Sequence, residues 1–175
     1  VSSTAGKGIK TDLDAEIAGG KLLLNTSGNA TYDSDEKDTS SSAGIKTDGS
    51  VIISGGTHTL KSTGTGGKGI NADKEVRVSG SETTVTTTGG KFYYSQSLTS
   101  SPKGVKADGD ITISGGKLNI SVTGVSDGSE GLESKATLAV TGGEVYVYAY
   151  DDAINAASAI NISGGKVYAC LLYTS

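Results

Sequence analysis

Carboxylates are concentrated near the C-terminal end of the sequence in a pattern that suits a calcium ion. The candidate ligands are the oxygen-bearing side chains of Glu130, Glu133, Asp151, Asp152 and Asn155. Most of them recur at equivalent positions of a repeat described below, so adjacent strands would stack them. Calcium takes about six to eight oxygen ligands in flexible geometry, whereas transition metals prefer histidine or cysteine. We therefore expect one Ca²⁺ between the last two repeats. The alternative is an acidic corner surrounded by water.

Tyrosines form a second group with a chemical use. Tyr146, Tyr148 and Tyr150 alternate along one segment, and Tyr168 is equivalent to Tyr146 in the next repeat. A tyrosine ring packs on the face of a sugar while its hydroxyl bonds to sugar oxygens. These four residues are the predicted carbohydrate-binding side chains. The alternative is that tyrosine forms strands well on a half-exposed face.

A row of aspartates is a weaker candidate for binding cations. Four repeats carry one at the same position: Asp12, Asp48, Asp73 and Asp108. Lys10, Lys46 and Lys106 stand two residues before three of them and can neutralise the row. Two of the aspartates also precede glycine, as turn-forming residues do. We therefore favour a structural role for this row.

Two insertions interrupt the repeat at the same corner. Residues 25–42 carry alternating acids that resemble half a calcium loop without its glycine and terminal glutamate, so we expect a solvated loop. Residues 89–101 carry Phe92-Tyr93-Tyr94, which either contact a sugar or pin the loop to the body of the domain. His58 is expected to be packed or at the rim.

The elements that position these groups follow from the internal repeat. An apolar residue, here called the lead residue, begins each repeat, and a glycine follows ten residues later. The lead residues are Ile9, Ile45, Ile70, Val105, Leu132 and Ile154. Apolar residues recur six, eight and fifteen positions after each lead residue and alternate with polar ones. Each repeat therefore predicts three short strands separated by Asp-Gly and Ser-Gly-Gly corners.

Stacked repeats of this kind predict an all-β fold, a right-handed parallel β-helix. We expect about six three-strand coils of ~22 residues with the two insertions. Residues 1–169 are predicted to form one domain, open at both ends as part of a longer protein. The last six residues depart from the repeat, and we expect 170–175 to be a non-native tail.

Composition restricts the function. Only 34% of residues are hydrophobic and 5% aromatic, which favours a thin core over that of a typical enzyme. The net charge of −4 disfavours nucleic-acid binding, which needs a basic face. One cysteine and one histidine exclude a disulfide framework and a multi-cysteine zinc site. No apolar run approaches the ~20 residues that span a bilayer, so we expect no membrane insertion. We also expect the domain to be a monomer.

One motif carries a family resemblance that extends over nearly the whole chain. Gly104-Val-Lys-Ala-Asp-Gly109 followed by Ile111-Thr-Ile-Ser-Gly-Gly116 resembles the repeat unit of bacterial carbohydrate-binding domain proteins, whose parallel β-helix is similar to that of polysaccharide lyases. Ser129-Glu-Gly-Leu-Glu133 and Asp151-Asp-Ala-Ile-Asn155 are similar to that family's acidic coil junctions. The resemblance implies a secreted or surface-displayed domain that binds plant cell-wall polysaccharide, including acidic pectin chains, with Ca²⁺ bound on the helix.

Three functions are therefore compared. The leading hypothesis is a non-catalytic module that binds pectin, polygalacturonate or cellulose with the help of Ca²⁺. The second is a pectate-lyase-like enzyme in which Ca²⁺ acidifies the proton beside a uronate carboxyl group and Lys135 removes it. No arginine stands near Lys135 in the sequence to support such a site. The third is a structural adhesin whose body only displays the insertions.

Overall fold

The computed structural model describes residues 2–3 and 6–172, and within those ranges it contains strands and turns but no helix. The strands are β1 (Ser2–Ser3), β2 (Lys7–Thr11), β3 (Ala15–Ile17), β4 (Lys21–Thr26), β5 (Thr31–Asp33), β6 (Asp38–Ser40), β7 (Ala43–Thr47), β8 (Val51–Ile53), β9 (Thr57–Ser62), β10 (Lys68–Ala72), β11 (Val76–Val78), β12 (Glu82–Thr87), β13 (Phe92–Tyr93), β14 (Thr99–Ser100), β15 (Lys103–Ala107), β16 (Ile111–Ile113), β17 (Lys117–Val122), β18 (Glu130–Ser134), β19 (Thr137–Ala149), β20 (Ile154–Ala156) and β21 (Ala159–Leu171).

The lead residues lie in a six-stranded parallel sheet with the order β2-β7-β10-β15-β18-β20. Ile70 pairs with Ile45 on one side and with Val105 on the other. Leu132 continues the row and pairs with Ile154. The register that the repeat predicts is therefore confirmed in this sheet, because equivalent residues of successive repeats are direct neighbours.

The remaining repeat strands form an eleven-stranded sheet. Its order is β1-β4-β9-β12-β17-β19-β16-β11-β8-β3, and β21 also pairs with β19. Every pairing in it is parallel among the described residues. Strand β19 belongs to both halves of the order, so the sheet curls. The sequence predicts two separate strands in each of the last two repeats, but β19 and β21 each run continuously for 13 residues with register shifts around Thr141.

Apolar side chains from both sheets meet in one core. Ile53, Leu60, Ile113 and Leu132 have no exposed surface. Each fully buried side chain of this size contributes roughly 1.5–3 kcal/mol relative to an exposed one. The apolar rows are less covered in the last repeat, where β21 is the last strand of the described sheet and Ile162 is 55% exposed.

The Gly-Gly corners are needed where strands of neighbouring repeats approach closely. Gly116 has a positive φ of 77°, which side chains rarely adopt. A side chain there would also collide with the carbonyl of Ser81 in the preceding repeat. The corner therefore requires glycine for both backbone conformation and space.

The two insertions form antiparallel hairpins, β5-β6 and β13-β14. Tyr32 of one stacks on Tyr94 of the other, with ring centroids 4.1 Å apart. Thr39 donates its hydroxyl hydrogen to the carbonyl of Thr99 at 3.3 Å. Tyr94 thus ties the second insertion to the first, whereas Tyr93 is 66% exposed.

The chain end predicted as a tail begins within a strand. Cys170 and Leu171 continue β21 and pair with Tyr148 and Ala149. Residues 173–175 lie outside the described residues, and the native or non-native origin of 170–175 stays a prediction. Across the described ranges, no helix is long and apolar enough to cross a membrane.

Candidate functional site

One column of residues on the six-stranded sheet organises the charged side chains. It stands two positions before the lead residues and contains, in repeat order, Lys7, Ala43, Lys68, Lys103, Glu130 and Asp152. The ladder pairs Lys68 with Lys103 and Lys103 with Glu130. The charge along this face therefore changes from basic to acidic between repeats four and five.

The acidic cluster lies at the acidic end of this column and consists of Glu130, Asp151 and Asp152. One carboxylate oxygen from each lies within 4.8 Å of the others. The backbone N–H of Gly128 donates a 2.7 Å hydrogen bond to Asp151 Oδ2, which orients that carboxylate. Glu130 is buried, Asp151 is half-buried and Asp152 is exposed. The cluster is therefore anchored in the fold on one side and open to solvent on the other.

The two other predicted ligands are placed differently. Glu133 is 4% exposed and is turned toward two lysines, Lys103 and Lys135. Asn155 lies beside the cluster, where its Nδ2 is 3.5 Å from Asp152 Oδ2. The structure thus brings three of the five predicted ligands together and places Asn155 at their edge.

Lys103 supplies a counter-charge that reading each repeat alone does not reveal. The last two repeats have Glu133 and Asn155 at the position that Lys10, Lys46 and Lys106 occupy in earlier repeats, so their stacked carboxylates have no lysine there. The Lys103 ammonium nevertheless lies 2.8 Å from Glu130 Oε2 and 3.3 Å from Glu133 Oε2. The counter-charge comes from the neighbouring repeat through the ladder, so these carboxylates do not by themselves require a metal ion.

This environment shifts the pKa values of Glu130 and Glu133 in opposite directions. Burial raises the pKa of Glu130, because desolvation disfavours its charged form more than Lys103 favours it. Burial acts on Glu133 in the same direction, but the hydrogen bond from Lys135 and the Lys103 charge outweigh it. The pKa of Glu133 is therefore held below its usual value.

The ligand types of the acidic cluster fit a hard cation. Three carboxylates supply only oxygen, which suits Ca²⁺, and the exposed side at Asp152 leaves room for water or a ligand to complete the coordination. The ammonium of Lys103 opposes a cation at Glu130 Oε2. Glu130, Asp151 and Asp152, with the amide oxygen of Asn155 after a side-chain rotation, are the residues that would hold the ion.

Lys135, the base named for a lyase, is engaged by a carboxylate. Its ammonium forms an ion pair with Glu133. That hydrogen bond raises the pKa of Lys135, so the side chain keeps its proton at neutral pH. A base must give up its proton before it can accept another, and this environment disfavours that role.

The tyrosine patch (Tyr146, Tyr148, Tyr150 and Tyr168) lies on the paired strands β19 and β21, with Tyr150 just after the end of β19. The rings of Tyr146 and Tyr168 are stacked in parallel with centroids 4.8 Å apart, as the repeat predicts. Tyr148 and Tyr168 are 46% and 53% exposed. Strand β19, which carries Tyr146 and Tyr148, ends at Ala149, two residues before Asp151. Tyr146, Tyr148 and Tyr150 therefore directly precede Asp151 and Asp152 in the chain.

The aspartate row has the structural role that the sequence favours. Lys10 lies 3.1 Å from Asp12, and Lys46 lies 3.2 Å from Asp48 and also pairs with Asp73. Lys106 pairs with Asp108 in the same way. These pairs neutralise the row. The exposed Lys10–Asp12 pair contributes about 0–1 kcal/mol to stability, whereas Lys46 and Lys106 are partly buried.

The sequence analysis missed a cleft between the six-stranded sheet and the two hairpins. It has a volume of about 850 Å³ and is lined by charged, hydroxyl and amide side chains, among them Lys68, Ser100 and Asn71. Lys68 is 7% exposed and Asn71 is 9% exposed. One signal was available in the sequence: Asn71 interrupts a column otherwise occupied by Lys10, Lys46 and Lys106 in the first four repeats.

His58, predicted to be packed or at the rim, is packed. It is 1% exposed in the core of the eleven-stranded sheet. Its Nε2 lies 2.7 Å from the carbonyl oxygen of Gly55. The side chain therefore has a local structural partner and no exposed surface for a ligand.

Comparison with known proteins adds a family assignment to this geometry. Three overlapping segments, residues 1–88, 49–127 and 95–171, match a family model described as carbohydrate-binding domain-containing protein. Neither the curated proteins nor the solved structures provide a match. The matched segments cover nearly the whole chain and include the acidic cluster, the tyrosine patch and the cleft. The chain therefore belongs to the carbohydrate-binding domain-containing family.

Proposed function

We propose that this domain is a non-catalytic module that binds plant cell-wall polysaccharide, chiefly polygalacturonate of pectin and also cellulose, with the help of Ca²⁺. The observation that carries the proposal is the stacked pair Tyr146 and Tyr168 beside the exposed ring of Tyr148. Strand β19, which carries Tyr146 and Tyr148, ends two residues before Asp151 of the acidic cluster. Family membership supports the carbohydrate as the ligand class.

The binding mechanism assigns different tasks to the two groups. Exposed tyrosine rings pack on sugar faces, which is favourable for neutral and acidic sugars alike. The acidic cluster alone repels a polyuronate, because both carry negative charge. A Ca²⁺ held by Glu130, Asp151 and Asp152 supplies the positive charge that joins a uronate carboxylate to the cluster.

The same proposal includes the shape of the domain and its location. We propose that the stacked repeats form a right-handed parallel β-helix acting as a monomer outside the cell or on its surface. One observation and one general rule support the shape. Equivalent residues pair in parallel from repeat to repeat, and parallel crossover connections are right-handed in nearly all proteins. An exposed saccharide-binding face is useful where plant polysaccharide is present.

A lyase remains the second function to be tested. An eliminase would produce an unsaturated uronate that absorbs in the near ultraviolet. We expect no such product when the parent chain is incubated with polygalacturonate and Ca²⁺, because Glu133 holds Lys135 in its protonated form. Product formation by the parent that is lost in Lys135→Ala would show that the domain is an enzyme.

Retention on insoluble polysaccharide tests the binding function. The domain is applied to polygalacturonate and to cellulose, with Ca²⁺ or with a chelator. We expect Ca²⁺ to increase retention strongly on polygalacturonate and little on cellulose, since only the uronate has a carboxylate to bridge. Lack of retention on both matrices would contradict the binding function and leave the structural adhesin.

A further inference from the structure

The cleft has the size and location of a ligand site. Its floor is the six-stranded sheet around β10, and residues of both hairpins line its walls. Its volume of about 850 Å³ lies within the ~300–1,000 Å³ of small-molecule sites. The walls are held together by the stacking of Tyr32 on Tyr94.

Lys68 is a buried cation that lacks an anionic partner. It is 7% exposed, and its ammonium donates a 2.9 Å hydrogen bond to the hydroxyl of Ser100. Within the described part of the chain, Lys68 takes part in no ion pair. Burial, together with the charges of Lys106 and Lys103, lowers the pKa of Lys68 to about 7. A buried charge of this kind is costly unless an opposite charge accompanies it.

Asn71, in the same cleft, has a buried hydrogen-bond acceptor without a donor. Its side chain is 9% exposed, and its Oδ1 accepts no hydrogen bond from any residue that the structure describes. A buried acceptor without a donor destabilises the folded state. The cleft therefore offers one cation in need of an anion and one acceptor in need of a hydroxyl or amine.

The charges of the neighbouring sheet residues are already paired with one another. Lys46 pairs with Asp48 and Asp73, and Lys106 pairs with Asp108. Lys7, at the far end of the cleft, donates a hydrogen bond to the Ser40 hydroxyl at 2.7 Å. Asp33, Glu36 and Asp38 of the first hairpin also line the cleft and take part in no ion pair among the described residues, and Glu36 and Asp38 are exposed to solvent. Among the described residues that line the cleft, Lys68 is therefore the buried cation without an anionic partner, and Asn71 Oδ1 is the buried acceptor without a donor.

We propose that the cleft is a metal-independent subsite for a sugar acid. The carboxylate of the sugar accepts from the Lys68 ammonium, and a hydroxyl of the same sugar donates to Asn71 Oδ1. A hexuronate carries both groups on one ring, whereas a neutral hexose lacks the anion. The inference rests on the proposed function for its ligand class, an acidic polysaccharide, but it uses different residues and no Ca²⁺.

The test uses ¹H–¹⁵N NMR titration of the whole chain with D-galacturonate or D-galactose in the presence of a chelator. We expect galacturonate to shift the amide signals of Lys68, Asn71 and Ser100, and galactose to bind about tenfold more weakly or worse, since it offers no charged hydrogen bond to Lys68. Equal binding of the two sugars would overturn the proposal without the need for any variant. Shifts confined to the tyrosine patch would overturn it as well.

Variants identify the residues. Lys68→Met and Asn71→Leu should each weaken galacturonate binding by about tenfold or more, since each removes one partner of the sugar. Both replace a buried polar group that lacks a full set of partners, so folding should be preserved. Lys61 and Asn25 are paired neighbours on the eleven-stranded sheet, away from the cleft lining. Lys61→Met and Asn25→Leu are therefore matched controls that should bind as the parent does. Parental affinity in both cleft variants would disprove the subsite.

The two proposals can fail independently. Galacturonate binding in the cleft without Ca²⁺-enhanced retention on polygalacturonate would support the subsite and contradict the calcium bridge. Ca²⁺-dependent retention on polygalacturonate without signal changes at Lys68 and Asn71 would support the calcium bridge and contradict the subsite.

Discussion

The Lys103 ammonium lies 2.8 Å from Glu130 Oε2, and both side chains are 9% exposed. Strand pairing between β15 and β18 places the two residues side by side. Lys103 also lies 3.3 Å from Glu133. This lysine therefore stands between the cleft and the acidic cluster, where it stabilises two buried carboxylates and opposes a cation bound beside them.

Replacing Lys103 by methionine should separate these two effects. Lys103→Met leaves Glu130 without its ammonium partner, and removing one member of a buried ion pair costs ~3–5 kcal/mol. The same change removes a positive charge beside the acidic cluster, so Ca²⁺ should bind more tightly. Chemical denaturation and Ca²⁺ calorimetry measure the two quantities. Lys10→Met, which removes an exposed pair with Asp12, is the control and should change neither by much. Weaker Ca²⁺ binding in Lys103→Met would contradict the location of the ion.

Calcium binding should depend on the acidic cluster and not on the aspartate row. Asp152→Ala removes the exposed carboxylate of the cluster and should abolish calorimetric Ca²⁺ binding. Asp48→Ala removes a carboxylate that Lys46 already neutralises, so Ca²⁺ binding should persist. Equal losses in the two variants would place the ion on the aspartate row.

A charged substitution should lower the stability of the fold strongly at inward-facing strand positions and only weakly at outward-facing ones. Ile113 is fully buried, so Ile113→Asp introduces an unpaired carboxylate and should destabilise the fold by about 4 kcal/mol or more. The adjacent Thr112 faces outward on β16, and Thr112→Asp should cost much less. Thermal unfolding followed by circular dichroism compares them. A parental melting temperature in Ile113→Asp would mean that the assigned register is wrong.

Lys68 should make stability depend on pH in the alkaline range. Its pKa of about 7 in the folded state lies below the ordinary value of 10.5. As pH falls from 10.5 toward 7, only the unfolded chain gains the proton, so the folded state loses relative stability. The surrounding Lys106 and Lys103 oppose protonation, while Glu133 and Asp108 favour it.

Denaturation of Lys68→Met at two pH values measures this dependence. The variant should exceed the parent in unfolding free energy by about 1–4 kcal/mol at pH 7, and the difference should shrink at pH 10. A difference that is the same at both pH values would show that the burial of Lys68 does not shift its titration.

Much of the fold was predictable because the repeat and the strand share a simple geometry. Equivalent residues such as Ile70 and Val105 pair directly, so a recurrence in sequence translates into a ladder. The stacking of Tyr146 on Tyr168 follows from the same register. The continuous strands β19 and β21 were not predicted, because Gly-Gly pairs also mark the corners of the earlier repeats.

The candidate site was less predictable, since ion pairs connect different repeats. Reading each repeat alone gives Glu130 no partner and gives Glu133 only Lys135, and the ladder is what brings Lys103 to both glutamates. The cleft depends on how two insertions fold over the sheet, which has no periodic signal. Burial of Lys68 beneath those hairpins is therefore a tertiary effect that neither residue type nor spacing reveals.

Calorimetric titration with a long oligogalacturonate tests the central claim most directly. The parent should bind saturably with Ca²⁺ and much more weakly with a chelator. Tyr148→Ala should lose ~1–2 kcal/mol of binding free energy if the ring is a buried contact. Leu23→Ala, another exposed apolar side chain of the same sheet, should not. Saturable, Ca²⁺-dependent binding that Tyr148→Ala weakens is the result expected of a carbohydrate-binding module. Absence of binding to the parent with Ca²⁺, or equal affinity with and without it, would contradict the account.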